Sequence, residues 1–547
     1  MSYKIIETEK LKNFDDILKK RRALFVANTI LTVGTLNTPL SFFFFLTNLI
    51  AFKYYKKIKN LKKEELQNID SKGDIFFGSA TLYNKNLDIL KTKTEIDYYF
   101  SYNDLTKHTL ILGTTGSGKT TAFINIIGQH VDKGGGLIFV DGKADVDIQQ
   151  KIIAIAQKQN REDDLFILNF ISNQKTNTIN ILSGSSIEMK EVLTNLIVPE
   201  GVSGDNQYFY DNALSLLQIA LSCLVYLRDI AKQKINIQQI ISITSNLNNL
   251  VNLYKNNFKG IDVNFKDEKI NKTIKQLTVE YFDAMGHVNY ESNDFNEETI
   301  RQHQYAFSTL KNGLEILSSQ FGHIFNSDDA DIDLKEIIKN NSILYVALPA
   351  LEKSNETLKK LGKLIITMLR QVTAAQLTNL DLRTEIPFLL MLDEFGAYST
   401  SELTTIMQQA RSLNVAVIVA MQELTSLKNR DEDKLLDSVL SNTNTQIFLK
   451  AKEPNTLQKI EQLAGKEKVF ERTEYTANSV DVLKNITSYE KTYKATEQNR
   501  ISTIHLQEFS NGQCIIIKDG KIFYCKSQYL HVDTASTYNF KLNKMFS

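Results

Sequence analysis

LILGTTGSGKTTAFI (residues 110–124) sets the pattern GxxxxGK[ST] between an apolar run and an amphipathic stretch. HTLIL ahead of it reads as a buried strand, and TTAFINIIGQHV behind it repeats apolar residues at helical spacing. Strand, glycine-rich turn and helix N-terminus in that order make a phosphate cradle. The glycines permit a tight backbone path that aims amide N–H groups at phosphate oxygens, and the helix adds the positive end of its dipole. The binding residues read from this stretch are Gly113, Thr114, Thr115, Gly116, Ser117, Gly118, Lys119, Thr120 and Thr121. Lys119 is placed for the β and γ phosphates of a nucleoside triphosphate, and the Thr120 hydroxyl completes the shell of a Mg²⁺ ion.

A phosphate loop alone leaves kinases, GTPases, transporters and motors open, and a second site discriminates among them. PFLLMLDEFGAY (residues 387–398) is an apolar run that ends in Asp393-Glu394. A buried parallel strand delivers its acids at the C-terminal edge, where α/β sheets bind ligands. There Asp393 serves Mg²⁺, and Glu394 orients or deprotonates the attacking water. Downstream, LNVAVIVAMQ (residues 413–422) is a further buried strand that places Gln422 to sense the γ-phosphate. Arg411, within IMQQARS, sits on a helix ahead of that strand, either solvated or reaching a neighbour's nucleotide as an arginine finger.

Asp393 lies 274 positions beyond Lys119, far more than one strand–helix–strand unit requires. GGGLIFVDGKAD (134–145), DDLFILNF (163–170) and SILYVALP (342–349) read as sheet strands. Between the last two, residues 185–340 repeat apolar positions at three and four, so an all-α domain is inserted there. Its aromatics, such as Tyr208, Phe209 and Tyr210, read as helix core rather than base-stacking platforms. NTQIFLKA (444–451) and GQCIIIKDGKIFYCK (512–526) read as the last strands, with a hairpin at Asp519-Gly520. Residues 471–500 are polar, Thr- and Lys-rich and without periodicity, which predicts a mobile loop. GDIFFGSATL and KTEIDYYFSY, before the phosphate loop, predict a small strand pair joining the N-terminal segment to the main domain.

Residues 23–52 carry no charge over 30 positions and are flanked by Lys19, Lys20, Arg21 and Arg22 before and Lys53, Lys56, Lys57 and Lys59 after. One straight helix of that length measures about 45 Å against about 30 Å of hydrocarbon. Basic flanks on both sides and Asn37-Thr38-Pro39 at the middle favour two short spans, with both ends in the cytosol. An export signal is disfavoured because no small-residue cleavage site precedes a second apolar run, and a buried hydrophobic hairpin is disfavoured because four aromatics in a row, Phe42 to Phe45, would be hard to hide in water. The chain of 547 residues has 64 basic and 63 acidic side chains, a net charge of +1, so any nucleic-acid contact must be local. Cys223, Cys514 and Cys525 fit no disulfide framework or metal spacing, and the seven histidines form no HxxxH or HExxH pair.

Taken in order, HTLILGTTGSGKTT, FVDGKAD, FLLMLDEFGAY, QQARSLNVAVIVAMQEL, LSNTNTQIFLKA and HLQEFSNGQCIIIKDGKIFYCK resemble the type IV secretion coupling proteins, the TraD/TraG and DotL-like ATPases. The resemblance spans nearly the whole chain. It implies an α/β fold: a RecA-like P-loop ATPase sheet with an inserted all-α domain and an N-terminal transmembrane helical hairpin. The corresponding divisions are a cytoplasmic segment 1–22, the hairpin 23–52 turning near 37–39, a linker with small strands 53–104, a nucleotide-binding domain in two parts, 105–184 and 341–547, and the insert 185–340.

It further implies ATP and Mg²⁺ as cofactors, with Lys119 and Thr120 as Walker A residues, Asp393 and Glu394 as Walker B, Arg411 as arginine finger and Gln422 as sensor. Implied partners are five further copies in a homo-hexamer, type IV secretion channel components, and a relaxase–DNA complex or effector proteins as cargo. DNA contact is expected to be independent of sequence. The implied location is the bacterial inner membrane, multi-pass, with the ATPase domain in the cytoplasm. The chain ends at Ser547, soon after the last strand, whereas the adaptor-binding branch carries a long C-terminal tail, so adaptor recruitment by a tail is not expected. The competing readings are an FtsK-type DNA translocase, against which the helical insert argues, a channel-assembly ATPase of the same systems, and a nucleotide-binding membrane scaffold without turnover.

Overall fold

The computed structural model describes residues 73–83, 95–199, 204–258, 260–286, 294–325, 330–427, 434–473, 492–534 and 540–545. The hairpin expected over 23–52 lies outside them.

Fifteen strands are present among the described residues: β1 Ile75–Leu82, β2 Ile96–Phe100, β3 Thr109–Leu112, β4 Leu137–Asp141, β5 Leu165–Asn169, β6 Lys266–Asp267, β7 Lys272–Thr273, β8 Ile343–Ala347, β9 Phe388–Asp393, β10 Val415–Met421, β11 Thr445–Phe448, β12 Lys466–Thr473, β13 Thr492–Asn499, β14 Gln513–Lys518 and β15 Lys521–Ser527. Eleven of them form one sheet in the order β2-β1-β15-β14-β11-β3-β10-β9-β4-β8-β5. From β11 to β5 every neighbouring pair is parallel, and from β11 to β2 every pair is antiparallel. The parallel strands are buried along their whole length, which explains their near-continuous Val, Ile and Leu content.

Alternate residues feed two cores. Ile111, Phe139, Met391 and Ile418 meet Phe123 and Ile127 of helix Lys119–Asp132 and Ile152 of helix Val146–Lys158 on one face. Leu112, Val140, Leu392 and Val419 share the opposite core with helix Asn355–Thr378 and with the insert. The glycine run before β4 has a steric cause. A Cβ on Gly135 would lie 2.2 Å from the His130 ring, and one on Gly136 would lie 2.4 Å from the Asn341 backbone.

The insert packs around helix Asp205–Val225, extended by a π turn to Ile230. Gln207–Ile230 is the one helix among the described residues long and apolar enough to cross a membrane, and 67% of its most apolar window is buried inside the protein, as expected of a core helix. The predicted run IQQIISITSNLNNLVNLY divides into two helices, Ile237–Thr244 and Leu247–Tyr254, because Asn246 caps the second through Asn249 N–H.

Three expectations change. The insert is not purely helical: β6 and β7 form a two-stranded ribbon, closed by Asp267, whose carboxylate accepts from the Lys269 N–H, and by Asn271 in the left-handed region (φ 53°). Two-residue strands leave no periodicity to read. Within the stretch expected to be a mobile loop, residues 471–473 and β13 belong to an antiparallel ribbon, β12–β13, while residues 474–491 lie outside the described set. Threonines spaced among charges suit a strand that lacks an apolar face. The pair β1–β2 is not a separate linker unit either, since β1 bonds to β15 and carries the main sheet to its edge.

Three histidines are buried beside neutral partners. His130 faces Gly136 O at 3.1 Å and Tyr102 Oη at 3.2 Å, and His303 faces Tyr281 Oη at 2.8 Å. Burial pushes both down to about 4, and it lowers His108 as well. The folded state therefore refuses protons that the unfolded state accepts near pH 6.5. The stability these sites contribute is complete above that pH and is lost as pH falls through 4, to a limit of about 3 kcal/mol for each of the first two. The urea midpoint is expected to hold level above pH 7 and to fall between pH 6.5 and 4. A midpoint unchanged over that window would contradict the buried neutral assignment.

Candidate nucleotide site

β3 ends at Leu112, and helix Lys119–Asp132 begins seven residues later with Gly118 as its N-cap at φ 108°. Gly116 is also left-handed, at φ 76°, and a Cβ on Gly113 would lie 2.5 Å from Ser117 Oγ. Only glycine fits this path without strain. The loop is tied to the flanking strands: Gly113 N–H donates to Met421 O at 3.2 Å and Thr114 N–H to Lys450 O at 2.9 Å.

β9 and β4 end side by side, so Asp393 and Asp141 occupy paired register positions at the same sheet edge. The Asp393 carboxyl accepts from Glu394 N–H at 2.9 Å. Burial, with Glu394 and Asp141 alongside, pushes its pKa up to about 7 against the pull of Lys119. Glu394 leaves the strand in the left-handed region, at φ 50°, which turns its side chain toward the phosphate loop. Its Oε1 lies 2.5 Å from Lys143 Nζ and 3.4 Å from Lys119 Nζ, and Gln422 Nε2 donates to both carboxylate oxygens at 3.2 Å. Burial opposes ionisation of Glu394, but Lys119, Lys143 and the Gln422 amide outweigh it and hold the carboxyl below its usual range. Lys119 is 6% exposed and donates to Gly113 O at 2.6 Å; burial lowers its pKa, with Glu394 and Asp393 opposing.

The residues expected from sequence thus converge, with one exception. Gln422 follows β10 and accepts from Thr115 Oγ1 at 3.3 Å, so it links the phosphate loop to Glu394. Thr114, Thr115, Gly116, Gly118, Lys119, Thr120, Thr121, Asp393 and Glu394 line one cleft of about 570 Å³. Arg411 does not join them. It closes helix Glu402–Ala410 and precedes β10, beside Lys107, His108 and Asn444 at the other end of the strands. A seven-residue strand spans about 20 Å, so Arg411 cannot reach its own chain's cleft.

Two sets of residues escaped the sequence reading. Asp141 is fully buried and accepts from the N–H groups of Lys143, Ala144 and Asp145 at 2.8, 3.0 and 2.7 Å and from Tyr345 Oη at 2.8 Å. That pins the turn from which Lys143 reaches Glu394, and the signal, FVDGKAD, was visible as a strand with a polar end. Asn511, Gly512, Lys526, Ser527 and Tyr529 line the cleft from the β14–β15 side, which no local pattern signals.

Among the described residues no group of three or more His, Cys, Asp or Glu side chains is arranged to hold a metal ion. The donor set instead suits a magnesium ion that keeps waters and phosphate oxygens as most of its ligands. Thr120 and Asp393 both line the cleft, and burial, with Glu394 and Asp141 alongside, pushes the Asp393 carboxyl up to about 7, a rise that a nearby cation would relieve.

A protein family described as Type IV secretory system Conjugative DNA transfer matches residues 49–503. The Type 4 coupling protein DotL of Legionella pneumophila is 28% identical over 472 residues, covering 80% of this chain and 59% of DotL. The chain therefore spans less than two thirds of that relative's length. Among solved structures, the bacterial conjugative coupling protein TrwB in its ΔN70 form superposes with a TM-score of 0.56 at 12% identity, over 85% of this chain and 97% of that one. TrwB in complex with ADP and Mg²⁺ gives 0.54 at 11% identity, over 86% and 97%. At that identity the likeness is one of fold, an α/β architecture with a large mixed sheet.

Proposed function

The chain belongs to the Type IV secretory system conjugative DNA transfer family, and we propose that it is a membrane-tethered coupling ATPase that uses ATP hydrolysis to recruit and move DNA or protein into a type IV secretion channel. The observation that carries the reading is the meeting of Lys119 and Gln422 at the Glu394 carboxylate, three residues brought together from three strand ends, with the helical insert between Lys119 and Glu394 in sequence.

In this reading the RecA-like motor comprises 105–184 and 341–547, the insert is 185–340, and 1–104 supply the cytoplasmic segment, the two spans of 23–52 and a linker. The cleft residues have separate tasks. The backbone of 113–118 and Lys119 grip the β and γ phosphates, and Thr120 and Asp393 hold Mg²⁺, which supplies charge neutralisation at the bridging oxygens. Glu394 orients the attacking water and takes its proton, while Gln422, bonded to both Thr115 and Glu394, relays whether the γ-phosphate is present. Arg411, at the far end of the strands, completes the nucleotide site of the next subunit in a homo-hexamer. The likeness in fold to TrwB, crystallised with ADP and Mg²⁺, supports this choice of cofactors.

DNA cargo and protein cargo separate by experiment. If DNA passes through the ring, single- or double-stranded DNA of any sequence stimulates ATP hydrolysis by the detergent-solubilised protein, and binding weakens steeply with salt as counterions return to the phosphates. No stimulation at low salt would exclude DNA and leave export of protein alone.

A further inference from the structure

The cleft has a wall that the phosphate loop and the strand-end acids do not explain. Asn511 and Gly512 precede β14, Lys526 and Ser527 end β15, and Tyr529 follows it. This wall is stitched to the phosphate loop through backbone: Gly512 N–H donates to Ser117 O at 3.0 Å and Ser527 N–H to Gly512 O at 2.8 Å. The contact needs glycine on both sides. A Cβ on Gly118 would lie 3.0 Å from Gly512 N, and one on Gly512, at φ 79°, would lie 3.0 Å from Ser527 Oγ.

Two side chains on the wall lack any structural task. Ser527 is 8% exposed and its Oγ is buried without a hydrogen-bond partner, while it lines the cleft. A buried hydroxyl left unbonded beside a cleft is a group that a ligand satisfies. Tyr529 is held on both sides, by Gln528 N–H donating to Phe77 O at 2.7 Å and by Leu530, which lies against Gly128 and packs on the core of that face. Its own ring is nevertheless 64% exposed over the cleft. A firmly anchored backbone that turns an aromatic ring outward, into a site already shaped for phosphates, offers a stacking face. Thr120 and Thr121, on the first turn of helix Lys119–Asp132, line the same cleft as that ring, and with the phosphate loop forming one wall the β14–β15 wall is the one left for the nucleoside.

We propose that the β14–β15 wall is the nucleoside subsite, with Tyr529 stacking on the base and Ser527 Oγ bonding to the sugar or base edge. The inference rests on the reading of residues 113–120 as the phosphate site. A stacked ring tolerates any base, because each presents a π face, and removing it weakens binding about 10- to 100-fold.

Binding of ATP and of inorganic tripolyphosphate, which has the phosphates without the nucleoside, is measured on the full-length protein. Tyr529→Ala is expected to lose about 10- to 100-fold in ATP affinity with tripolyphosphate affinity unchanged, and Tyr529→Phe to restore ATP binding to within about threefold of the original. An unchanged ATP affinity in Tyr529→Ala overturns the subsite, and so does an equal loss for ATP and tripolyphosphate, which places the ring's effect on the phosphates or on the fold. Lys119→Ala is the control for the premise. If tripolyphosphate binds that variant as before, the phosphate-site reading fails, a result distinct from either outcome at Tyr529.

Discussion

Glu394→Gln is expected to lower ATP turnover by at least about 100-fold while leaving ATP affinity within about threefold. The amide keeps the size of the side chain and can still bond to Gln422, but it cannot accept a proton from water. The turn that presents it is unaltered, because the left-handed backbone at residue 394 is fixed by the end of β9 and by Tyr398 Oη donating to Asp393 O at 2.9 Å. Loss of the negative charge also frees Lys119 and Lys143 from their shared partner, which favours rather than hinders phosphate binding. Phosphate release and equilibrium ATP binding, measured on the same preparation, separate the two effects. Turnover equal to that of the unaltered protein would remove Glu394 from the reaction, and a parallel loss of binding would make it a binding residue.

Arg411→Ala is expected to cost about 1000-fold in turnover in assembled oligomers, the scale of an arginine finger, with little change in ATP affinity. Geometry makes the test sharper than the single variant allows. Arg411 and Glu394 lie at opposite ends of the sheet, so a site completed between subunits takes Arg411 from one chain and Glu394 from the other. Mixing Arg411→Ala subunits with Glu394→Gln subunits, each inactive alone, regenerates some sites with both residues intact, and turnover returns. Failure of the mixture to regain activity, under conditions where oligomers form, would show that Arg411 does not complete a neighbour's site.

The sheet was legible because its parallel strands are buried on both faces and read as apolar runs bounded by glycine or acid. The phosphate loop was legible because its chemistry is local: glycine spacing, Lys119 and Thr120 lie within eight residues. Asp393-Glu394 and Gln422 were found by the same logic, each at the C-terminal end of an apolar run. Lys143 escaped because its task depends on a partner 251 positions away, and Tyr529 because the hairpin that carries it returns to the phosphate loop antiparallel, by a route no periodicity encodes. The ribbons β6–β7 and β12–β13 escaped for another reason: the first has strands of two residues, and the second is a polar stretch whose sequence shows no apolar alternation. Arg411 was legible as a residue and not as a position, since sequence spacing places it near Gln422 while seven residues of β10 carry the two apart.

Phosphate release from ATP by the purified full-length protein, followed with magnesium present and after chelation, tests the account most directly. A cleft built from Lys119, Thr120, Asp393 and Glu394 predicts steady turnover with magnesium and its loss on chelation, restored when the ion is returned. Absence of turnover under both conditions in assembled protein, or turnover indifferent to the metal, would contradict it.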